Sequence, residues 1–177
     1  MKIKVYIIED YKNYLSKKYP DKYGDSKLTG KALTDELVAM CLGVDRALIQ
    51  REEGGKPYII GGEHFSVSHS DNVMAIAKAD FNIGIDIQFT RDLDVLKLAR
   101  RYFSQDELEM VRDNSETFYE LWTAKEAYCK FTGRGLAEIL EKKSIVDAIN
   151  GNGPIEIVRD VLYGNMHMAI CYDKGDI

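Results

Sequence analysis

The stretch Ile83-Gly84-Ile85-Asp86-Ile87-Gln88 alternates isoleucines with a glycine, an acid and an amide. A period of two predicts a strand whose isoleucines face a core, with Gly84, Asp86 and Gln88 sharing the opposite face. Aspartate is depleted inside strands, and an isolated buried carboxylate is costly. Two environments satisfy Asp86. One is a face open to water. The other is a hard, oxygen-seeking cation such as Mg²⁺, with Gly84 leaving room for a ligand.

Upstream, His64 to Gln88 reads as short strands, HFSV, NVMAIAKA and NIGIDI, separated by the turn-rich SHSD and ADFN, and predicts a three-stranded antiparallel meander. Lys2 to Glu9 alternates as a strand, and a helix over residues 10–19 is expected to stop at Pro20. Ser26 to Leu42 carries Leu33, Leu37, Met40 and Cys41 at helical spacing, with Gly43 as its C-terminal stop. Downstream, Val95 to Phe103 predicts a helix, Ser104-Gln105-Asp106-Glu107 a capping box opening a second, and Ser115 the cap of a third that runs to Phe131. Ala137 to Ile149 fits neither period, and the segment from Pro154 reads as a hairpin. Val73-Met74-Ala75-Ile76-Ala77 is echoed by His167-Met168-Ala169-Ile170-Cys171. Each half of the chain runs helices and then strands. The fold expected is therefore α+β, in two similar halves of residues 1–90 and 91–177, with no flexible linker at the seam.

Two further stretches carry chemistry. On a helix, Trp122, Lys125, Glu126 and Cys129 share one face, with Lys130 at its edge. An ordinary amphipathic helix separates an indole from charges, so this stripe fits a face that meets both an anion and a cation. A snorkelling lysine and an exposed glutamate give the same pattern. Phe65-Ser66-Val67-Ser68-His69-Ser70-Asp71 brings three hydroxyls and an imidazole to a strand end, which suits a phosphate cradle or an ordinary turn. Lys56, held between Gly54-Gly55 and Pro57, adds a cation.

The bulk composition narrows the classes. At 177 residues, with 45% hydrophobic and 30% charged residues, the chain is long and apolar enough to bury a core. A net charge of −5 argues against non-specific nucleic-acid binding. The three cysteines, Cys41, Cys129 and Cys171, form no disulfide framework or zinc motif. No leader or membrane-length apolar run is visible, so a cytoplasmic protein with reduced thiols is expected.

Taken in order, Gly55-Lys56-Pro57, FSVSHS (65–70), GIDI (84–87) and FYELWTAKEAYCKFTGRGL (118–136) resemble the successive motifs of the 4′-phosphopantetheinyl transferase superfamily, in the arrangement of its pseudo-dimeric, surfactin-synthetase-activating type. The resemblance covers residues 26–136, and its specific part is the pairing of the GID and WxxKEAxxK motifs. It implies two α+β halves with an active site in the cleft between them. It also implies transfer of the phosphopantetheine group of coenzyme A to a serine of an apo acyl or peptidyl carrier protein, of the fatty-acid, polyketide or nonribosomal-peptide kind, with release of 3′,5′-ADP. Asp86 and Glu126 would hold Mg²⁺ or Mn²⁺, with Gln88 as an amide-oxygen ligand where many members have an acid. Lys56, Ser68 and His69 would grip the phosphates of coenzyme A, with Lys125 and Lys130 beside the reacting phosphate. Glu126 is the expected base, and Lys130 would stabilise or protonate the leaving phosphate. Where Ser26 stands relatives often carry a basic residue, for which Lys27 or Lys31 can substitute. Arg100-Arg101 are the expected docking charges for the carrier. A monomer is expected, the alternative being a non-catalytic coenzyme A-binding relic of the same fold.

Overall fold

The alternation at residues 83–88 is realised. In a computed structural model that describes residues 2–112 and 114–177, Ile83, Ile85 and Ile87 are fully buried between two sheets, and Asp86 points to the other side. In chain order the elements are β1 (Lys4–Glu9), α1 (Tyr11–Lys18), α2 (Pro20–Tyr23), α3 (Gly30–Leu42), β2 (Ile49–Arg51), β3 (Pro57–Ile59), β4 (His64–Ser70), β5 (Val73–Ala79) and β6 (Gly84–Phe89). Then come α4 (Val95–Tyr102), α5 (Gln105–Val111), α6 (Ser115–Thr132), α7 (Leu136–Leu140), α8 (Val146–Ile149), β7 (Ile155–Leu162) and β8 (Met166–Asp173).

Two three-stranded antiparallel sheets, ordered β1-β5-β4 and β6-β8-β7, pack face to face. Val5, Ile7, Ala75 and Ala77 from the first meet Ile85, Ile87, Ile170 and Tyr172 from the second. Helices cover the outer faces. Leu33, Leu37 and Val38 of α3 and Leu15 of α1 cover Ile8, Met74 and Ile76. Ala124, Ala127 and Tyr128 of α6 cover Ala169 and Cys171. An aromatic cluster of Phe103, Phe118, Tyr119 and Trp122 joins α4 and α5 to α6.

Several expectations need correction. The meander stops after two strands: β4 and β5 form a hairpin, but β6 crosses to the second sheet and pairs with β8. The FSVSHS segment is strand to its end, and the turn falls at Asp71-Asn72. Its backbone pairs with β5 as far as Ser70 opposite Val73, and its hydroxyls turn to β6. Ser66, Ser68 and Ser70 lie two residues apart on one face of β4 and accept from the backbone N–H groups of Ile85, Ile87 and Phe89 at 3.1, 3.2 and 3.1 Å. The outer edge of β6 is thus satisfied by side chains rather than by a strand ladder. Pro20 does not simply end a helix but opens α2 at its first position, where a missing N–H costs nothing. The helix expected from Ser26 begins at Gly30, and Asn114 rather than Ser115 caps α6, its side chain accepting from Glu116 and Thr117. The capping box at Ser104 and the C-terminal hairpin occur where expected.

The two echoed pentapeptides do occupy corresponding places, the middle strands β5 and β8. Their side chains do not correspond: Ala75 and Ala77 face the space between the sheets, whereas Ala169 and Cys171 face α6. What recurs is strand order, in which the first strand of each sheet pairs with the last.

Gly84 decides how closely α6 approaches β6. A Cβ built on it would lie 2.1 Å from the carbonyl oxygen of Ala127 and 2.5 Å from the amide nitrogen of Phe131. The glycine makes room for helix backbone, not for a ligand. Gly84→Ala is expected to destabilise the fold by about 1–3 kcal/mol, as overpacking does. Denaturant unfolding with an unchanged m-value would check it.

Candidate functional site

Asp86 leaves β6 on the side of α6 and is 6% exposed. Ser68 Oγ donates to its Oδ1 at 2.6 Å, and Lys130 Nζ donates to the same oxygen at 2.7 Å. Ser68 therefore does two jobs, accepting from the N–H of Ile87 and donating to Asp86. Glu126 lies one helical turn before Lys130 on α6. Burial, and then the charge of Asp86, push its carboxyl above the ordinary range, while Lys130 pulls it back. The close passage of α6 over Gly84 is what brings these two carboxylates and one ammonium together.

A cleft of about 480 Å³ opens here, lined among others by Lys56, Val67, Glu126, Cys129, Lys130 and Arg134. Asp86 does not itself line the cleft; Lys130, which does, holds it. Lys56 donates to Asn82 Oδ1 at 2.9 Å and to the Phe131 carbonyl at 3.4 Å, and Asn82 Nδ2 donates to the same carbonyl at 2.8 Å. Lys56 thus rests on the C-terminal end of α6, where carbonyls attract cations. Burial holds its ammonium below the usual lysine value. Gly54 approaches the carbonyl of Gly133 so closely that a Cβ would lie 2.8 Å from it, which seats the β2–β3 loop against the end of α6. Cys129 is buried, and its thiol is pushed up to about 12, chiefly by burial, so it is no nucleophile at neutral pH.

The remaining expected residues lie elsewhere. His69 follows Ser68 in β4 and so points to the opposite face, exposed and stacked on Tyr11 at 5.6 Å. It lines a second cavity of about 590 Å³ together with Tyr11, Lys12, Lys31 and Arg51. Pro57 and Val67 line both cavities, so the two are neighbours across one wall. Gln88 is half-buried on the face of Asp86, and its Nε2 donates to Ser70 Oγ at 3.3 Å and the Phe89 carbonyl at 3.2 Å. Lys125, expected beside the reacting phosphate, is turned away. It is 2% exposed, and its Nζ donates to both oxygens of Glu107 at 2.8 Å and to the Lys143 carbonyl at 2.6 Å. The helical stripe read from the sequence splits along its length: Trp122 and Lys125 serve the α4–α5 side, while Glu126, Cys129 and Lys130 serve the cleft. Sequence reasoning passed over Asn82 and Arg134. Only the Gly133-Arg134-Gly135 turn hinted at the latter.

Two close carboxylates with a lysine between strand and helix suit a divalent cation and a phosphorylated ligand. The donor set fits magnesium, which accepts hard oxygens and takes its other ligands from water and phosphate. Among the described residues no group of three or more His, Cys, Asp or Glu side chains could hold a metal, so a cation here would rest on two protein carboxylates.

Comparison with known proteins identifies the family. Residues 82–169 match the model of the 4′-phosphopantetheinyl transferase superfamily. The 4′-phosphopantetheinyl transferase gsp of Aneurinibacillus migulanus is 34% identical over 159 residues, covering 81% of this chain and 67% of that protein. The 4′-phosphopantetheinyl transferase Sfp of Bacillus subtilis is 32% identical over 139 residues, 73% of this chain and 62% of that protein. HetI of a Nostoc species, of the same named activity, is 34% identical over 128 residues, 63% of this chain and 53% of that protein. The chain belongs to the 4′-phosphopantetheinyl transferase superfamily. Within it the chain falls with the surfactin-synthetase-activating type, the type of the gsp and Sfp relatives. It spans between about half and two thirds of the length of these relatives.

The raised carboxyl of Glu126 has a pH signature. An acid whose folded pKa exceeds its unfolded value of 4.5 costs stability as pH rises through and above that window. Glu126→Gln, studied without divalent cations, is therefore expected to raise the melting temperature at pH 7.5, with the gain disappearing as the pH falls below the ordinary carboxylate range. A gain independent of pH would contradict the assignment.

Proposed function

We propose that the chain transfers the 4′-phosphopantetheine group of coenzyme A to a serine of an apo carrier protein. The observation that carries this is the meeting of Asp86, Glu126 and Lys130 beside a cleft that adjoins a basic, tyrosine-walled cavity. A nucleotide with a diphosphate and a separate ribose phosphate suits that pair of cavities. The diphosphate would lie near Lys130 and Lys56, and the adenosine end, with its 3′-phosphate, beyond Val67 and Pro57 near His69 and Lys31. Ser68 then acts by aligning Asp86 rather than by touching phosphate, since both its donor and acceptor roles are taken.

In the reaction the serine oxygen of the carrier bonds to the β-phosphorus, and the bond from that phosphorus to the bridging oxygen breaks. The leaving group, 3′,5′-ADP, takes the electron pair, and the serine proton goes to Glu126. Glu126 lines the cleft where that serine would enter, which suits it to take the proton. Lys130, at the cleft wall, places positive charge where charge grows on the leaving phosphate. Asp86 and Glu126 would hold Mg²⁺ or Mn²⁺, with Gln88 supporting their face; such an ion supplies Lewis-acid charge toward the diphosphate.

We read the chain as two halves that meet at the serine rungs between β4 and β6. The boundary then falls ahead of Gly84 rather than at residue 90, because β6 pairs with β8. Asp86 and Glu126 both belong to the second half, and the first contributes Ser68 and Lys56. A single chain carries all four, which supports a monomer.

Intact-protein mass spectrometry of an apo acyl carrier protein incubated with this protein, coenzyme A and Mg²⁺ tests the reading. The expected result is a gain of one phosphopantetheine mass that is abolished by EDTA and by Glu126→Ala. Coenzyme A binding without mass gain across fatty-acid, polyketide and peptide-synthetase carriers would identify a ligand-binding relic instead. Carrier docking has a separate test. Arg100 and Arg101 end α4, and Lys142 Nζ donates to the Arg100 carbonyl at 2.9 Å, gathering cations on a chain of net −5. Reversing both arginine charges is expected to raise the carrier KM and leave coenzyme A binding unchanged, read by steady-state kinetics and calorimetry.

A further inference from the structure

We infer that Lys125 is a positioning residue: its buried pair with Glu107 sets the placement of α6, and through it the approach of Glu126 to Asp86, without contacting the ligand. The inference rests on the transferase reading of the site. Glu107 is fully buried and sits at a junction of chain segments. It pairs with Lys125 of α6, accepts the N–H of Ser104 at the start of α5 at 2.8 Å, and accepts the N–H of Ile145 at 3.0 Å. Lys125 adds the carbonyl of Lys143 at 2.6 Å. The three protons of the ammonium are matched by oxygens of Glu107 and Lys143, which leaves no donor for a phosphate.

The neighbouring residue makes the placement matter. Glu126 follows Lys125 directly, so a turn of α6 about its axis that frees Lys125 also moves Glu126 relative to Asp86. The helix is held on its other side by Gly84, where backbone meets backbone. Sideways packing against glycine fixes distance, but it does little to fix rotation. A directional ion pair at the opposite edge supplies the rotational restraint. A buried pair is also a poor choice for stability alone, since apolar residues of like volume serve equally well or better. Its position beside the site residue accounts for it.

The test uses the double variant Lys125→Met with Glu107→Met, which leaves no orphan charge, alongside Lys125→Met alone. Folding is checked by thermal melting. Coenzyme A binding is measured by calorimetry in EDTA. Mn²⁺ binding is measured by electron paramagnetic resonance with coenzyme A present. The expected outcome for the double variant is a coenzyme A Kd within about threefold of the parent, an Mn²⁺ Kd raised roughly tenfold or more, and kcat lowered with little change in KM for coenzyme A. A weakened coenzyme A Kd in EDTA would mean that Lys125 grips phosphate and would overturn the proposal. A folded double variant with unchanged Mn²⁺ affinity and kcat would overturn it too, as a purely structural pair. Failure of the parent to modify any carrier would count against the transferase reading, whereas the two binding measurements would still decide the role of Lys125.

Discussion

Three hydroxyls hold the two sheets to each other. The outer edge of β6 would otherwise carry unpaired N–H groups into the interior, and Ser66, Ser68 and Ser70 accept them one by one. A backbone ladder in their place would have added β6 to the first sheet beside β4. Serine does something a ladder cannot, because each hydroxyl keeps a proton to donate. At Ser68 that proton goes to Asp86, so the contact that joins the sheets also orients an acid of the site.

Helix α6 is the second constraint, and it answers to both sides. Its small residues, Ala124 and Ala127, let it lie flat on the second sheet, and Gly84 lets its backbone reach β6. The aromatic cluster of Phe103, Phe118 and Trp122 anchors its first half. The buried Lys125–Glu107 pair stands between that anchor and the cleft. Lys56 and Asn82 meet the carbonyl of Phe131 near its end, and the β2–β3 loop packs on Gly133. A helix tied at so many points presents Glu126 and Lys130 in one orientation, which a site built on two carboxylates needs.

Charge balance at the site is local. Asp86 is compensated by Lys130 and a hydroxyl, while burial and the charge of Asp86 push the carboxyl of Glu126 up. Lys56 is moved the opposite way by the same burial. The overall acidity of the chain therefore says little about the cleft, where lysines and Arg134 line the walls.

By itself the sequence determined the strand near 84–88, its buried isoleucines and the common face of Gly84, Asp86 and Gln88, because a period of two leaves one reading of which side chains share a face; whether that face met water or the interior it left open. It determined most helices, the capping box at Ser104 and the final hairpin, because these depend on neighbours a few residues apart. The ordered motifs were also enough to point to the superfamily. Tertiary structure decided which sheet β6 joins, since that rests on hydroxyls of another strand nearly twenty residues away. It decided that Ser68 and His69, adjacent in the chain, serve different cavities, and that Lys125 and Glu126, adjacent on one helix, serve different neighbours. Helical spacing places side chains on a face, but only the packing of that face against two different elements assigns each side chain its partner.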